Sequence, residues 1–451
     1  MADYCSPPVN MLISEPTSTN ILPTIAFAPD TSTPRDWTDG DRLVTVYYLH
    51  FHQAHPFLPP HDALSQFFPP NYLLDVMQFI GMHYISSHSV PDCSSQLLAA
   101  VQEADLSVEK VQAFLLLSII LHARMQPKDA KECMNKAVYY SLELGLHDRQ
   151  FSDALEMQSP VRAESARRTW WEVFITDTLL AAVQVEGSLQ FIMETPDVPL
   201  PCEETEYHDG RLAGVSPSAR DLDGQALFHR DGDFSSFAYR VEAAIILRKC
   251  LVASEDRISQ ESMDVLDATI SSWFHRVPKR SRATLRNNGE VDQMAFQAYM
   301  IMHCTSVYLH FPKSYLVAFL PTTSQLFCAR PPDLSSTSWG SDSQVHTAKV
   351  VAAAVNMSKL ASLSTSVINH SPFFACILVL SSIVQLAILS AGPQQSSGTD
   401  RQYLALNIGV LGSMGDIWAI AATSMGRIRD VAMEIEAGAR GLRDNQMIQP
   451  V

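Results

Sequence analysis

The sequence is poor in basic residues. Lys and Arg total 32 against 48 Asp and Glu, so the formal net charge is −16 at pH 7. Within the first hundred residues, Arg35 and Arg42 are the only basic side chains. Proteins that bind nucleic acid use Lys and Arg to displace counterions from phosphates. The charge balance therefore disfavours the bulk of this chain as a DNA-binding surface.

The cysteines are too far apart to form a compact metal or redox site. Eight are present, and no two are closer than 24 residues along the chain. This spacing excludes a CxxC zinc knuckle or redox pair. Several of the cysteines lie in apolar segments, where a free thiol behaves as a small hydrophobic group. No secretory signal is readable at the N-terminus, and we expect a reducing intracellular compartment.

Glycine is scarce, with 18 in 451 residues, and segments with a 3.6-residue hydrophobic period dominate. This pattern predicts an all-α protein, built as a single large multi-helix domain of about a dozen helices with helical hairpins. We expect three parts along the chain: a disordered Pro/Ser/Thr-rich tail at 1–36, the domain at 37–440, and a C-terminal tail at 441–451. One hairpin is predicted over 107–148, where Gly145 is expected to adopt a left-handed conformation at a helix end.

One apolar stretch is long enough to cross a membrane. Residues 373–391 contain no charge, and neither end carries the Lys/Arg flank that orients a span. Polar residues, including Gln385, interrupt its middle. A helix buried on all sides shows the same pattern, and we favour that interpretation over a membrane span.

Four histidines, at positions 50, 52, 55 and 61, fall within the segment LHFHQAHPFLPPH. On a regular helix His50 and His52 point about 200° apart, so they cannot bind one ion together. No acidic residue has the spacing of an HExxH zinc site. The sequence therefore predicts the end of a helix that runs into a proline-rich turn, and no metal site.

Several motifs, in consistent order, resemble the regulatory middle homology domain of fungal-specific zinc-cluster transcription factors. They are YYLHFHQAHPFLPP, AVYYSLELGLHD, ARRTWWEVFITDTLL, VPLPCEETEY and GSMGDIWAIAATSMGRI. The Arg-Arg-x-Trp-Trp element is the most specific, and the likeness covers roughly residues 40 to 437. The signature residues that carry it are His55, Pro56, Gly145, His147, Arg167, Arg168, Trp170, Trp171, Phe174, Asp177, Pro201 and Trp418.

The resemblance implies an all-helical regulatory module of a nuclear transcription regulator that acts on RNA polymerase II genes, including those of a metabolic gene cluster. It implies partners in the transcription machinery or a DNA-bound protein, a small-molecule effector, and homo- or heterodimers. Family members bind DNA through six cysteines that hold two zinc ions. This chain lacks those ligands, so we expect no zinc cofactor and doubt direct DNA binding. Either the gene product is truncated, or a partner supplies the DNA contact.

A structural role is expected for the signature helix. Trp170, Phe174 and Asp177 share one face at helical spacing, and Arg168 and Glu172 stand at the i,i+4 spacing of an ion pair. The sequence departs from the family at Thr178, where a basic residue is usual. A second departure is at 187–188, where Gly-Ser replaces Gly-Arg-Pro. Both changes are expected to loosen local ion pairing.

Two further features leave alternatives open. Lys279, Arg280 and Arg282 form a basic cluster that suits a nuclear-import signal, although a solvated loop between helices is the favoured interpretation. Glycines at 409, 412 and 415 recur every three residues and predict a helix-packing face. A helical enzyme and a membrane-associated protein are the rival functions. We find no P-loop, dinucleotide fingerprint or Gly-x-Ser-x-Gly elbow, and we expect no enzymatic activity.

Overall fold

A computed structural model describes residues 39–85, 90–184, 189, 198–210, 217–224, 234–255, 258–277, 289–320, 342–363, 366–392 and 398–447. The predicted N-terminal tail, the basic cluster at 279–282 and the Gly-Ser departure at 187–188 lie outside these residues. Within the described residues the secondary structure is helical, apart from one isolated bridge between Pro199 and Ser218. The prediction of an all-α fold is confirmed.

The described residues form 17 α-helices. In chain order they are α1 (Asp39–Val46), α2 (Leu64–Phe67), α3 (Asn71–Ile85), α4 (Ser94–Glu103), α5 (Val108–Ala123), α6 (Pro127–Glu143), α7 (Arg149–Glu156), α8 (Pro160–Val183), α9 (Glu204–His208), α10 (Ala219–Gly224), α11 (Ser236–Glu255), α12 (Gln260–Arg276), α13 (Gln293–His310), α14 (Ser343–Ser362), α15 (Phe373–Ser390), α16 (Gly398–Gly415) and α17 (Ala419–Met447). A π-helical turn, Tyr47–Phe51, continues α1.

Helix α8 runs through the middle of the molecule. Every side chain from Ala163 to Val183 is buried, so the helix has no solvent-exposed face over this length. Helices α5, α6, α7 and α11 all pack against it. A helix enclosed in this way must find partners for its polar side chains inside the protein.

Helix α15 is a second central helix. Among the described residues it is the one helix that is long and apolar enough to cross a bilayer, and 83% of that apolar stretch is buried within the protein. Ser381 and Ser382, two of the polar residues that interrupt it, both bond to Asn407 of α16 at 3.2 Å. These contacts support the buried-helix interpretation.

The hairpin of α5 and α6 has the expected ends. The Ser107 side chain accepts a hydrogen bond from the Lys110 backbone N–H at 3.2 Å, and Pro127 is the first residue of α6. Gly145 has φ of +78°, the left-handed conformation that ends a helix and that favours glycine.

The C-terminal part of the described chain forms two helices. Helix α16 ends at Gly415, and α17 begins at Ala419 after a short turn. At Gly415 a Cβ atom would lie 3.0 Å from the Cα of Ala422, so the absence of a side chain permits the crossing. Gly412 faces Met425, but Gly409 has no neighbour within 4 Å. The predicted glycine face is therefore correct for two of its three members.

Candidate functional site: a buried ionic network on helix α8

The buried proline turn that follows the first helix is stabilised by side chains from elsewhere in the chain. A buried irregular segment must have its carbonyl groups hydrogen-bonded. Four successive carbonyls accept such bonds: Pro56 from Arg168 at 3.0 Å, Phe57 from Ser165 at 2.8 Å, Leu58 from Tyr207 at 3.1 Å, and Pro59 from Tyr48 at 2.8 Å. The His-Pro-Phe-Leu-Pro motif is therefore the piece of backbone that α8 anchors.

Arg168 connects this turn to the acidic segment after residue 198. Its guanidinium donates to Glu164 Oε1 at 2.8 Å, to Glu204 Oε1 at 2.5 Å and to the Cys202 carbonyl at 3.0 Å. The same group lies 4.0 Å from the centre of the Tyr207 ring, within the range of a cation–π contact. A fully buried guanidinium is thus surrounded by acceptors and an aromatic face.

Glu164 is shared by the two adjacent arginines. Its Oε2 accepts from Arg167 Nε at 3.0 Å, and its Oε1 also accepts from the Cys202 backbone N–H at 2.9 Å. Burial alone would raise the pKa of Glu164, but the guanidiniums of Arg168 and Arg167 hold that pKa below its usual value. Glu164 therefore stays ionised.

Glu172 lies one helical turn beyond Arg168 and pairs with a different arginine. Arg240 of α11 holds it in a bidentate pair, with Nη1 to Oε2 at 2.5 Å and Nη2 to Oε1 at 2.8 Å. The predicted pair between Arg168 and Glu172 is therefore wrong. Burial would raise the pKa of Glu172, but Arg240 and His55 lower it to about 2. The pair joins α8 to a helix beyond residue 230.

His55 continues the network to the start of α15. Its Nδ1 lies 2.7 Å from Glu172 Oε1, and its Nε2 lies 3.0 Å from Ser371 Oγ. Because the carboxylate only accepts, Nδ1 carries the hydrogen and Nε2 accepts from the Ser371 hydroxyl. Burial lowers the pKa of His55, partly offset by Glu172, so the ring is neutral at neutral pH.

Glu172, His55 and Ser371 have the atom order of an acid–base–nucleophile triad. Three observations favour a structural role. His55 and Glu172 are 0% exposed and Ser371 is 2% exposed. The carboxylate is also neutralised by Arg240, so its charge is already balanced. In addition, the Ser371 hydroxyl oxygen accepts from the Phe373 backbone N–H at 3.3 Å, so it caps the start of α15.

The last acid of the signature pairs with the same helix as Glu172 does. Arg248 of α11 donates to Asp177 Oδ2 at 3.0 Å and to Thr178 Oγ1 at 3.2 Å. The guanidinium also lies 4.9 Å from the centre of the Phe174 ring. The expected loosening at Thr178 is not observed, because the threonine hydroxyl accepts a bond from the arginine that pairs with Asp177.

The twin indoles are core residues, and both are 0% exposed. Trp171 donates its Nε1 hydrogen to the Pro199 carbonyl at 3.0 Å and meets the Phe174 ring edge-on at 5.8 Å. Trp170 packs against the ring of His147, with centroids 5.8 Å apart. Neither face is open for stacking on a base or a ligand.

The other signature residues are spread around this centre. The Pro201 carbonyl accepts from Ser235 Oγ at 2.6 Å, just before α11. Trp418 is apart from the α8 network, because it packs against Phe51 and Tyr84 at the turn before α17. The signature residues therefore connect separate helices and do not line one pocket.

The histidines of the segment have separate surroundings. His50 Nδ1 bonds to Asn369 at 2.8 Å, His52 is buried, and His61 is exposed. Across the residues that the structure describes, no group of three or more His, Cys, Asp or Glu side chains could hold a metal ion.

Sequence reasoning missed the partners that make the network, above all Arg240, Glu204 and Ser371. They lie far along the chain from α8, and no local pattern links them to it. One signal was available: Glu164 and Glu172 stand in a helix that also carries the large apolar side chains Trp170, Trp171 and Phe174, and buried charges are normally paired.

Comparisons with known proteins agree with the motifs. Residues 44–230 match the fungal specific transcription factor domain. The chain is also 30% identical over 418 residues to the C6 finger domain transcription factor iacK of Pestalotiopsis fici. That alignment covers 90% of this chain and 61% of the relative, so the chain spans less than two thirds of the length of that curated protein. No solved structure matches the chain.

Proposed function

We propose that this protein is a transcription regulator whose helical body transmits a regulatory signal, because residues 44–230 match the fungal specific transcription factor domain. The similarity to a C6 finger transcription factor over 90% of the chain carries the proposal. The six-cysteine module of such factors needs closely spaced thiolates, and this sequence does not contain them. We propose that DNA contact is supplied by a partner or by a segment outside this sequence.

The buried network supports a regulatory role for the whole body. It joins the turn at 55–59, helix α8, helix α11 and the start of α15 through charged side chains that cannot be exposed or separated cheaply. A displacement of one of these elements is therefore resisted by its ion pairs and hydrogen bonds with the others. This coupling suits a domain that responds to a partner or to a small-molecule effector, and it suits no particular catalytic step.

The proposal places the protein in the nucleus, with the transcription machinery or a DNA-bound protein as its partner, alone or as a homo- or heterodimer. The net charge of −16 disfavours direct DNA contact. Import would use Lys279, Arg280 and Arg282, which lie outside the described residues. No catalytic role is proposed, and the burial of α15 argues against a membrane role.

A reporter assay tests the proposal. The full chain is fused to a heterologous DNA-binding domain and expressed with a reporter that carries its target site. We expect reporter expression to differ from that of the DNA-binding domain alone, in at least one nutrient condition. Imaging of the same fusion, with a fluorescent tag, shows whether it reaches the nucleus.

The control is a fusion that carries Lys128→Ala, which removes an exposed charge of α6 and should change nothing. Expression equal to that of the DNA-binding domain alone in every condition, from a fusion that imaging shows in the nucleus, would refute the proposal.

A further inference from the structure

Three helices outside the α8 network meet at a pair of histidines. His310, at the end of α13, lies with Nδ1 3.0 Å from His346 Nδ1 of α14. Its other nitrogen, Nε2, lies 3.0 Å from Asp267 Oδ1 of α12. The second oxygen of Asp267 accepts from Lys349 of α14. Through these side chains, α14 is joined to both α12 and α13.

The two imidazoles face one another directly. Their centroids are 5.2 Å apart while the facing nitrogens are 3.0 Å apart. Both facing nitrogens therefore lie close to the line that joins the two ring centroids. The in-plane bonding direction of each nitrogen points at the other nitrogen. Two ligands of one metal ion would instead point toward a common third position. The geometry is that of an N–H···N hydrogen bond.

The contact fixes where the hydrogens are. Asp267 only accepts, so His310 Nε2 carries a hydrogen. In neutral His310 the Nδ1 atom is then an acceptor, and His346 Nδ1 must be the donor. The free nitrogen of His346 is its Nε2, on a half-buried side chain.

We propose that the number of protons bound to the His310–His346 pair controls the contact of α14 with α12 and α13. The pair holds α14 against these helices when no proton or one proton has been added, and the contact opens when a second proton binds. The first proton enters at His346 Nε2 and leaves the bridging hydrogen in place. The second can enter only at His310 Nδ1, the accepting atom. Two N–H groups then face each other, and the hydrogen bond is lost.

The surrounding charges determine when opening occurs. Lys313, which follows α13, and Lys349 oppose added positive charge, while Asp267 and Asp342, which precedes α14, favour it. Burial lowers the pKa of His310 to about 4, against the opposing effect of Asp267. Burial and the two lysines also lower the pKa of His346.

The sign of the pH effect follows. Each imidazole is harder to protonate in the folded protein than at its ordinary pKa of about 6.5. The contact therefore contributes its full stability above that value and loses it as the pH falls toward about 4. We expect the contact of α14 with α12 and α13 to open within this pH window.

Hydrogen–deuterium exchange of the full chain tests the proposal. Between pH about 7 and about 4, after correction for the intrinsic rate, exchange within Ser343–Ser362 should rise by about tenfold, since one hydrogen bond of ordinary strength is lost. Exchange within α5 should not change. His346→Leu should show the faster α14 exchange already at neutral pH.

His346→Asn is the matched variant, because its amide can donate to His310 but cannot be protonated. At neutral pH it should protect α14 as the natural residue does. Three results would each overturn the proposal: unchanged α14 protection at low pH, loss of α5 protection at the same pH as α14, or tight binding of Ni²⁺ that His346→Leu abolishes. The last result would show a metal site in place of a proton contact.

Discussion

Glu172 is the residue on which most depends, because two side chains from distant parts of the sequence converge on it. Its carboxylate bonds to Arg240 at 2.5 and 2.8 Å and to His55 at 2.7 Å. Removing one partner of a buried ion pair leaves the other charge without compensation, which costs far more than the net contribution of the pair. Glu172 directly follows the Arg-Arg-x-Trp-Trp element but is not part of that motif, so the motif alone does not identify it.

Replacing Glu172 by Gln should destabilise the protein by about 3–5 kcal/mol, because the Arg240 guanidinium is left buried without a counter-charge. Urea denaturation, followed by circular dichroism, measures this loss. Replacing Glu172 and Arg240 together by Met should recover most of it, since two apolar side chains of similar length need no charge compensation.

The matched control is Glu132→Gln. Glu132 forms an exposed i,i+4 pair with Lys136 at 2.8 Å, and losing such a pair should cost under about 0.5 kcal/mol. Equal costs for Glu132→Gln and Glu172→Gln would show that the buried network has no special energetic role.

At the scale of single elements, the sequence predicted the ends of helices well but predicted poorly how deeply each helix is buried by its neighbours. The ends of α5 and α6 follow from local chemistry at Ser107, Pro127 and Gly145, so they could be predicted. The complete burial of α8 could not, because it depends on α5, α6, α7 and α11 packing around it. Helices α4 and α7 are short and rich in polar residues, so hydrophobic periodicity does not identify them.

Two glycines, one at a helix end and one inside a helix, test the assigned backbone conformations. Gly145 has φ of +78°, so Gly145→Ala should destabilise the protein by about 1 kcal/mol, the cost of an L-residue in that conformation. Gly409 is an exposed position within α16, with open space around it. There, Gly409→Ala should stabilise the protein by about 0.5–1 kcal/mol.

Thermal unfolding of the two variants measures both effects. Each variant is the control for the other, because both replace Gly by Ala. A shift in the same direction for both would contradict the assigned conformations.

At the scale of the whole molecule, the candidate site could be predicted only in part. The signature residues were found because they fall in short motifs of consistent order, and the structure shows that those at 55–56 and 167–177 meet at α8 while Trp418 lies apart. The ion pairs were assigned wrongly or missed, because Arg240, Arg248 and Ser371 are between 68 and 316 residues from their partners. Local spacing carries no information about such contacts.

These long-range pairs have a consequence for the extent of the domain. The family match ends at residue 230, yet Glu172 and Asp177 are neutralised by Arg240 and Arg248, which follow it. A protein cut at residue 230 would keep two buried carboxylates and lose both arginines. The folded unit must therefore extend well beyond the matched residues.

The most direct test is equilibrium urea unfolding of residues 39–230 expressed alone, compared with the full chain. We expect a single cooperative transition for the full chain and none for the fragment, because its buried acids have no counter-charge. A cooperative transition in the fragment, at a urea concentration close to that of the full chain, would contradict the account of one body joined through α8.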